Sequence, residues 1–537
     1  MKYNFLKTHT KEKWQRIGTH KRSGVVVPLF SIYSDKSTGV GEILDIKYIV
    51  DWCKKTGMSI IQLLPLNELG PDNAPYNAIS TFALEPMYLK LNELKGVDQN
   101  GFQDEIQKLK IKYRSNRSRV NYNIKNEKID LLWRIFKNID ITKNKKYNNF
   151  VKHNKYWLKD FALFKIISES EGTQLWDKWN KKLSAHYKIE LDKVYSANRE
   201  KFDFHYWIQW QLYEQMKDLK KYANVNGVLI MGDLPFLVSR YSADVWSHQN
   251  YFKLNLAAGA PPDIYFAQGQ LWGMPPYHWE NIKKNKYIYL KKRLLYAQNF
   301  YNLYRIDHFI GLFRVWTVEL GTGHVNAALH GKFDPENENL WEKHGKKIID
   351  KMLSFTDMLP CAEDLGSVPA CSYKTLTEYG IPGVDFQRYL KDKNDNFIEP
   401  KKYRPNSAAV ISTHDSTFFF NWWGYEAGKS EQNKFMKYLY GRSQKKNIPA
   451  STSFIKKCLE RINESESIFS IQLIQEYLSL DEKLLKKMNK WNYRINSPGT
   501  FSNKNWVIRL PIGVEKLGDL KINTLIYEIN KKSGRLF

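Results

Sequence analysis

Apolar residues along this chain gather in short runs, mostly β-branched and too brief for a helix. Val25-Val26-Val27, Ile60-Ile61-Gln62-Leu63-Leu64, Val228-Leu229-Ile230-Met231, Leu303-Tyr304-Arg305-Ile306, Ala408-Ala409-Val410-Ile411 and Ile468-Phe469-Ser470-Ile471 are the clearest. Such runs predict parallel strands buried on both faces. Between them, Ile43 to Lys55 and His205 to Tyr222 repeat apolar residues at helical spacing. Strands alternating with helices predict an α/β fold.

Two intervals depart from this rhythm. Residues 91–201 are rich in Lys, Asn and Trp, with helical periodicity and few strand-like runs. They read as a mostly helical insertion between early strands. Residues 251–299 are rich in Pro, Gly and aromatics. They read as an ordered loop insertion over a site, because long loops on a rigid scaffold tend to carry function. Residues 1–90 and 202–537 then hold the two parts of one catalytic unit, with no internal repeat and no low-complexity linker.

Several strand-like runs end in an acid. Val228 to Gly232 delivers Asp233, and Leu303 to Ile306 delivers Asp307. Leu359-Pro360-Cys361-Ala362 delivers Glu363, and Ala408 to Thr413 delivers His414-Asp415. A single acid at a strand end often caps the next helix, and Asp233 alone has that plain reading. Four together point to a (β/α)8 TIM barrel with helical and loop insertions, where strand ends converge on one face that holds the active site.

Converging carboxylates suit retaining cleavage of a glycosidic bond. One is the nucleophile and the other protonates the leaving oxygen, about 5–5.5 Å apart. The acid needs a pKa raised by burial and by neighbouring carboxylates. Arg305, two residues before Asp307, shares its strand face and suits holding that carboxylate charged.

Composition narrows the picture only slightly. The 537 residues are 42% hydrophobic, enough for a large core. A net charge of +27 raises a nucleic-acid reading. The lysines, however, sit in small groups such as Lys143 to Lys146, with no long basic arm, and solvated helix faces explain them; no nucleic-acid partner is expected. Aromatics at 15% either stack on sugars or fill cores, and Trp422-Trp423 read as packing. The four cysteines show no metal-knuckle spacing and are too few for a disulfide framework. No second His or Cys stands near His414 at metal spacing, so no metal is expected there. No signal-like or membrane-length apolar run appears, which predicts a soluble, cytoplasmic protein with no membrane partner.

A series of motifs then stands in one order. Leu64-Pro65-Leu66, Ala74-Pro75-Tyr76 and Ser80-Thr81-Phe82-Ala83 come first, followed by Trp157 to Phe164 and Gly232-Asp233-Leu234-Pro235. Pro261 to Phe266 and Gly269-Gln270-Leu271-Trp272-Gly273 precede Arg305-Ile306-Asp307-His308-Phe309. Ala362-Glu363-Asp364-Leu365-Gly366, Thr413-His414-Asp415 and Arg494 to Thr500 complete the set. Over nearly its full length the chain resembles the amylomaltases, glycoside hydrolase family 77.

That resemblance implies a 4-α-glucanotransferase acting on α-1,4-glucans, such as maltooligosaccharides, starch or glycogen, without a cofactor. It implies Asp307 as nucleophile, Glu363 as general acid and base, and Asp415 as the third carboxylate that helps distort the sugar. It makes Tyr76, Asp233, Arg305 and His414 ligands at the cleavage point. Gln270, Trp272 and Asn496 become glucan contacts further along, with Tyr265 and Phe266 an aromatic pair over the acceptor region. Trp272 keeps core packing as its plain reading, and His308 reads as a structural histidine. The chain departs from the family at Ala74, Met274, Ile310, Ser416 and Thr417. The alternatives are an α-1,4-glucan hydrolase on the same scaffold and a non-catalytic glycan- or nucleic-acid-binding protein.

Overall fold

The structure, a computed structural model, describes residues 3–114, 118–262, 267–321, 326–441, 449–490, 493–500 and 502–536. Eight parallel strands form its centre: β1 (Arg22–Val27), β2 (Ile60–Leu63), β3 (Leu229–Pro235), β4 (Leu303–Asp307), β5 (Leu359–Ala362), β6 (Gly383–Phe386), β7 (Ser407–Val410) and β8 (Phe469–Leu473). Each pairs with its sequence neighbour, and β8 pairs with β1. The remaining seam lies between β5 and β6, where Ala362 N donates to Pro382 O at 2.7 Å and Val384 N to Asp364 Oδ1 at 2.6 Å. Pro360 inside β5 has no N–H for a ladder, and a proline-bearing strand belongs where one flank is open. The fold is the expected (β/α)8 barrel.

The buried β-branched runs do form strands. All six residues of β1 are buried, and Gly24 lets β2 come close: a Cβ there would stand 2.7 Å from Ile60 O. The hydrophobic pattern does not announce β6. Its Gly-Val-Asp-Phe is brief and carries Asp385, whose buried carboxylate is taken by Arg404 Nε at 2.7 Å and Ser407 Oγ at 2.9 Å. With its charge matched, that acid tolerates a strand interior.

Of the expected helices, the first begins as a 3-10 turn at Ile43–Asp45 and runs on as Ile46–Thr56, ending where Gly57 takes φ 74. The second lies within Arg199–Val225. Between β2 and β3 also stand Gln103–Lys112, Ile124–Lys137, Lys145–Ser170 and Lys188–Ala197. Lysines from this helical layer meet carboxylates from the barrel loops. Lys128, fully buried, donates to Glu42 Oε1 at 2.7 Å, and Lys165 donates to Glu68 Oε1 at 2.6 Å. The 251–299 stretch holds Leu256–Ala260, Gln270–Leu271, Trp279–Lys284 and Ile288–Ala297. Its two strands join Val315–Glu319 and Lys332–Asp334 in a four-stranded antiparallel sheet beside the mouth of the barrel. Among the described residues, no helix is long and apolar enough to cross a membrane.

Candidate active site

Barrel register decides which side chains meet. Asp233 of β3 pairs with Arg305 of β4, and Ile306 of β4 pairs with Ala362 of β5. Arg305 and Asp307 are two apart and therefore face the same way. Asp307 and Glu363 each stand one residue past the Ile306–Ala362 pair, on strands about 4.8 Å apart. Glu363 N donates to Ile306 O at 3.0 Å, which fixes that junction. Carboxylates at matching ends of adjacent strands are able to reach the roughly 5–5.5 Å that a retaining mechanism uses.

Arg305 is the hub. Its Nη1 reaches both oxygens of Asp233, at 2.8 and 2.9 Å, and Asp307 Oδ1 at 2.9 Å. Tyr76 donates its hydroxyl to Asp233 Oδ2 at 2.7 Å. Asp233 is fully buried beneath these partners, whereas the Asp307 side chain is 28% exposed and open to the cleft. Burial, offset in part by Arg305, pushes the Asp233 carboxyl above its usual range.

Glu363 receives two backbone N–H groups, His308 N at 2.9 Å and Leu365 N at 3.1 Å. The first is available because His308 takes φ 50 and turns the chain back at the strand end. Burial raises the Glu363 carboxyl to about 7, with the Asp307 charge adding to the rise and Arg305 opposing it. A carboxyl in that range holds a proton at neutral pH and can also lose it, as an acid that later serves as a base must. Burial brings the His308 imidazole down to about 4, so it is neutral.

The turn after β7 supplies the opposite wall. His414 Nε2 lies 3.2 Å from Asp415 Oδ2, and Asn496 donates to Asp415 Oδ1 at 2.7 Å. Burial works to raise the Asp415 carboxyl, but His414 and the Asn496 hydrogen bond outweigh it and bring it to about 2. His414 is raised in turn, because Asp415 overcomes its burial. The His414 ring stacks on Tyr76 with centroids 5.2 Å apart and planes 11° apart.

These groups open into one cleft of about 2070 Å³, which Gln270 and Trp272 line further out. Trp272 Nε1 donates to Gln270 Oε1 at 3.3 Å, and its ring meets His308 edge-on at 4.8 Å. Tyr265 and Phe266 lie outside the described residues. The departures sit around this centre. Ser416 Oγ accepts from Thr413 N at 2.9 Å and so braces the His414–Asp415 turn, while Thr417 donates to Glu426. Ile310 and Met274 give the cleft apolar lining.

Three contributors have no site role assigned from the sequence. The backbone N–H of His308 serves Glu363, whereas the sequence points only to a structural role for its side chain. Arg494 donates to the carbonyls of Asn496 at 2.9 Å and Asp415 at 3.3 Å. Trp506 stands beside Tyr76 and His414, at 5.9 and 6.1 Å between centroids. The one available signal was their closeness in sequence to Asp307 and Asn496.

Comparison with known proteins identifies the family. The family described as 4-alpha-glucanotransferase matches residues 27–515. A 4-alpha-glucanotransferase of Chlamydia pneumoniae is 36% identical, over 94% of this chain and 94% of its own length. That of Chlamydia muridarum is 33% identical over 96% of each. Among solved structures, an amylomaltase from Streptococcus agalactiae in complex with acarbose matches with a TM-score of 0.81 at 24% identity, covering 96% of this chain and 100% of that one. At that identity the likeness speaks for the fold, and the sequence matches speak for the family. The chain belongs to the 4-alpha-glucanotransferase family.

Proposed function

We propose that this chain transfers α-1,4-glucan segments to the 4-hydroxyl of an acceptor sugar by double displacement. Asp307 attacks the anomeric carbon of the donor while Glu363 protonates the departing oxygen. The covalent glycosyl-aspartate then passes to the acceptor, whose hydroxyl gives its proton to the Glu363 carboxylate. Asp415, held ionised by His414 and Asn496, binds hydroxyls of the reacting sugar and steadies its distorted ring. Tyr76, Arg305 and His414 hold that sugar, and Asp233 acts through Tyr76 and Arg305, which it anchors. Gln270, Trp272 and Asn496 extend the contact along the glucan. Suitable substrates are maltooligosaccharides and the chain ends of starch or glycogen, met in the cytoplasm. We read residues 1–90 and 202–537 as the catalytic barrel, 91–201 as its helical insertion and 251–299 as its active-site insertion.

The observation that carries this reading is the pair of strand-end carboxylates with unlike surroundings: Asp307 bonded to a guanidinium and Glu363 to two backbone N–H groups. Incubation with maltotriose tests it. The expected products are glucose and a ladder of longer maltooligosaccharides, both absent with Asp307→Asn. Glucose and maltose alone would mean hydrolysis, and an active Asp307→Asn variant would remove the assigned nucleophile.

A further inference from the structure

Trp506 holds an unusual backbone conformation for its size. Its φ is 61, in the left-handed region that bulky side chains avoid, yet its ring is buried. Such a conformation persists only where surrounding contacts over-determine it, and here they are visible. Trp506 N donates to Ile495 O at 2.8 Å, closing the turn that carries Asn496. Trp506 O accepts from Tyr122 Oη at 2.6 Å. Beyond it, Val120 N donates to Val507 O at 2.8 Å, and Arg509 N donates to Ser118 O at 3.2 Å. The segment entering the Ile124–Lys137 helix therefore grips the tryptophan carbonyl and the backbone that follows it.

The grip sets the ring against two proposed sugar ligands at once. The Trp506 ring is tilted 45° to Tyr76 and 36° to His414, which themselves stack in parallel. Phe30, just after β1, meets the Trp506 ring edge-on at 6.4 Å and backs it from the barrel side. With the ring in place, Tyr76 keeps its hydroxyl on Asp233 and His414 keeps Nε2 toward Asp415.

We propose that Trp506 is a positioning residue for transfer, and that Tyr122 links the helical layer between β2 and β3 to the catalytic centre through it. This rests on the reading of Tyr76 and His414 as ligands of the reacting sugar. Displacement of supporting groups by about 1 Å lowers turnover about 10²-fold. Loss of the ring accordingly costs kcat, with little change in KM.

The test uses Trp506→Gly, Trp506→Phe and Tyr122→Phe in the full chain. Glycine accepts a positive φ, so the first variant removes the ring and keeps the backbone. Disproportionation of maltotriose gives kcat and KM, and NMR of labelled histidines gives the titration of His414. For Trp506→Gly we expect kcat to fall about 10²-fold, KM to change less than about three-fold, and the His414 midpoint to fall as its contact with Asp415 loosens. Trp506→Phe should recover most of the loss, and Tyr122→Phe should shift kcat and the midpoint the same way by about three- to ten-fold and a smaller step. A Trp506→Gly protein with kcat within about three-fold of the parent and an unmoved His414 midpoint would overturn the proposal. If that variant does not fold, an unchanged Tyr122→Phe would overturn it equally. Asp307→Asn, run alongside, separates the two failures: an active Asp307→Asn removes the underlying reading, whereas an inactive one beside an active Trp506→Gly removes this proposal alone.

Discussion

Two groups of carboxylates in this protein have opposite surroundings. Where the barrel loops meet the helical layer, each acid has an ammonium close by: Glu42 with Lys128 at 2.7 Å, Asp45 with Lys90 at 2.7 Å, Glu68 with Lys165 at 2.6 Å and Glu85 with Lys125 at 2.9 Å. At the catalytic centre Asp233 and Asp307 share one guanidinium, and Glu363 takes two backbone N–H groups. Burial raises both Glu68 and Glu363, but Lys165 and Lys125 bring Glu68 below its ordinary value, while Glu363 stays up at about 7. Matched charge makes a rigid seam. A deficit of positive charge makes a proton available.

The difference should be breakable from either side. The largest effect is expected from Asp307→Asn, which should lower transfer by at least about 10⁴-fold, as loss of a nucleophile does. Its melting temperature should not fall, because it relieves crowding of like charge; product chromatography and a thermal melt check both parts. Lys128→Met attacks the seam instead. It strips the Met87 and Leu89 carbonyls of their donor and leaves buried Glu42 with the Thr38 N–H at 3.0 Å and the more distant Lys90 at 3.6 Å. We expect about 3–5 kcal/mol of lost stability by denaturant titration, with kcat of the folded protein within about three-fold.

Glu363→Gln separates the regions by the sign of their pH response. The folded value of Glu363 exceeds its ordinary 4.5, so its ionisation destabilises the fold progressively from pH 4.5 to about 7. The variant should be the more stable protein above pH 7, by up to about 3 kcal/mol and less where water reaches the half-buried carboxyl, and the gap should close toward pH 4.5. Glu68 has the opposite sign: its stability is present above its ordinary value and is lost as pH falls through its lowered one. Acid should therefore open the seam first, visible as hydrogen exchange in Ile124–Lys137 and Lys145–Ser170. The smallest effect is expected from Asn496→Ala. It removes one charge-assisted hydrogen bond from Asp415, raises that carboxyl, and should lower kcat/KM about ten-fold.

The same contrast marks what the sequence could reveal. The strands were legible where they are apolar throughout, as in Val25 to Val27, because burial on both faces leaves no polar alternation. β6 was not, since the partners that make Asp385 acceptable, Arg404 and Ser407, become neighbours only when the barrel closes. Asp307, Glu363 and Asp415 stood out as acids after strand-like runs. The unlike proton affinities of Glu363 and Asp415 did not, because these depend on burial in the closed barrel and on Arg305, His414 and Asn496 arriving from other strands and turns. Trp506 was hidden for the same reason: its place beside His414 and its φ of 61 arise from contacts with a segment almost 400 residues away in the chain.

The central claim is that burial of Glu363, offset by only one nearby guanidinium, creates the acid. The most direct measurement is the pH dependence of kcat/KM for maltotriose disproportionation, from about pH 5 to about pH 9, beside a maltosyl donor whose fluoride leaving group needs no proton. A descending limb near pH 7 with maltotriose, and its absence with the fluoride, is the predicted result. A maltotriose profile that stays flat to about pH 9 would contradict it, and the proton would then have to come from a group other than Glu363.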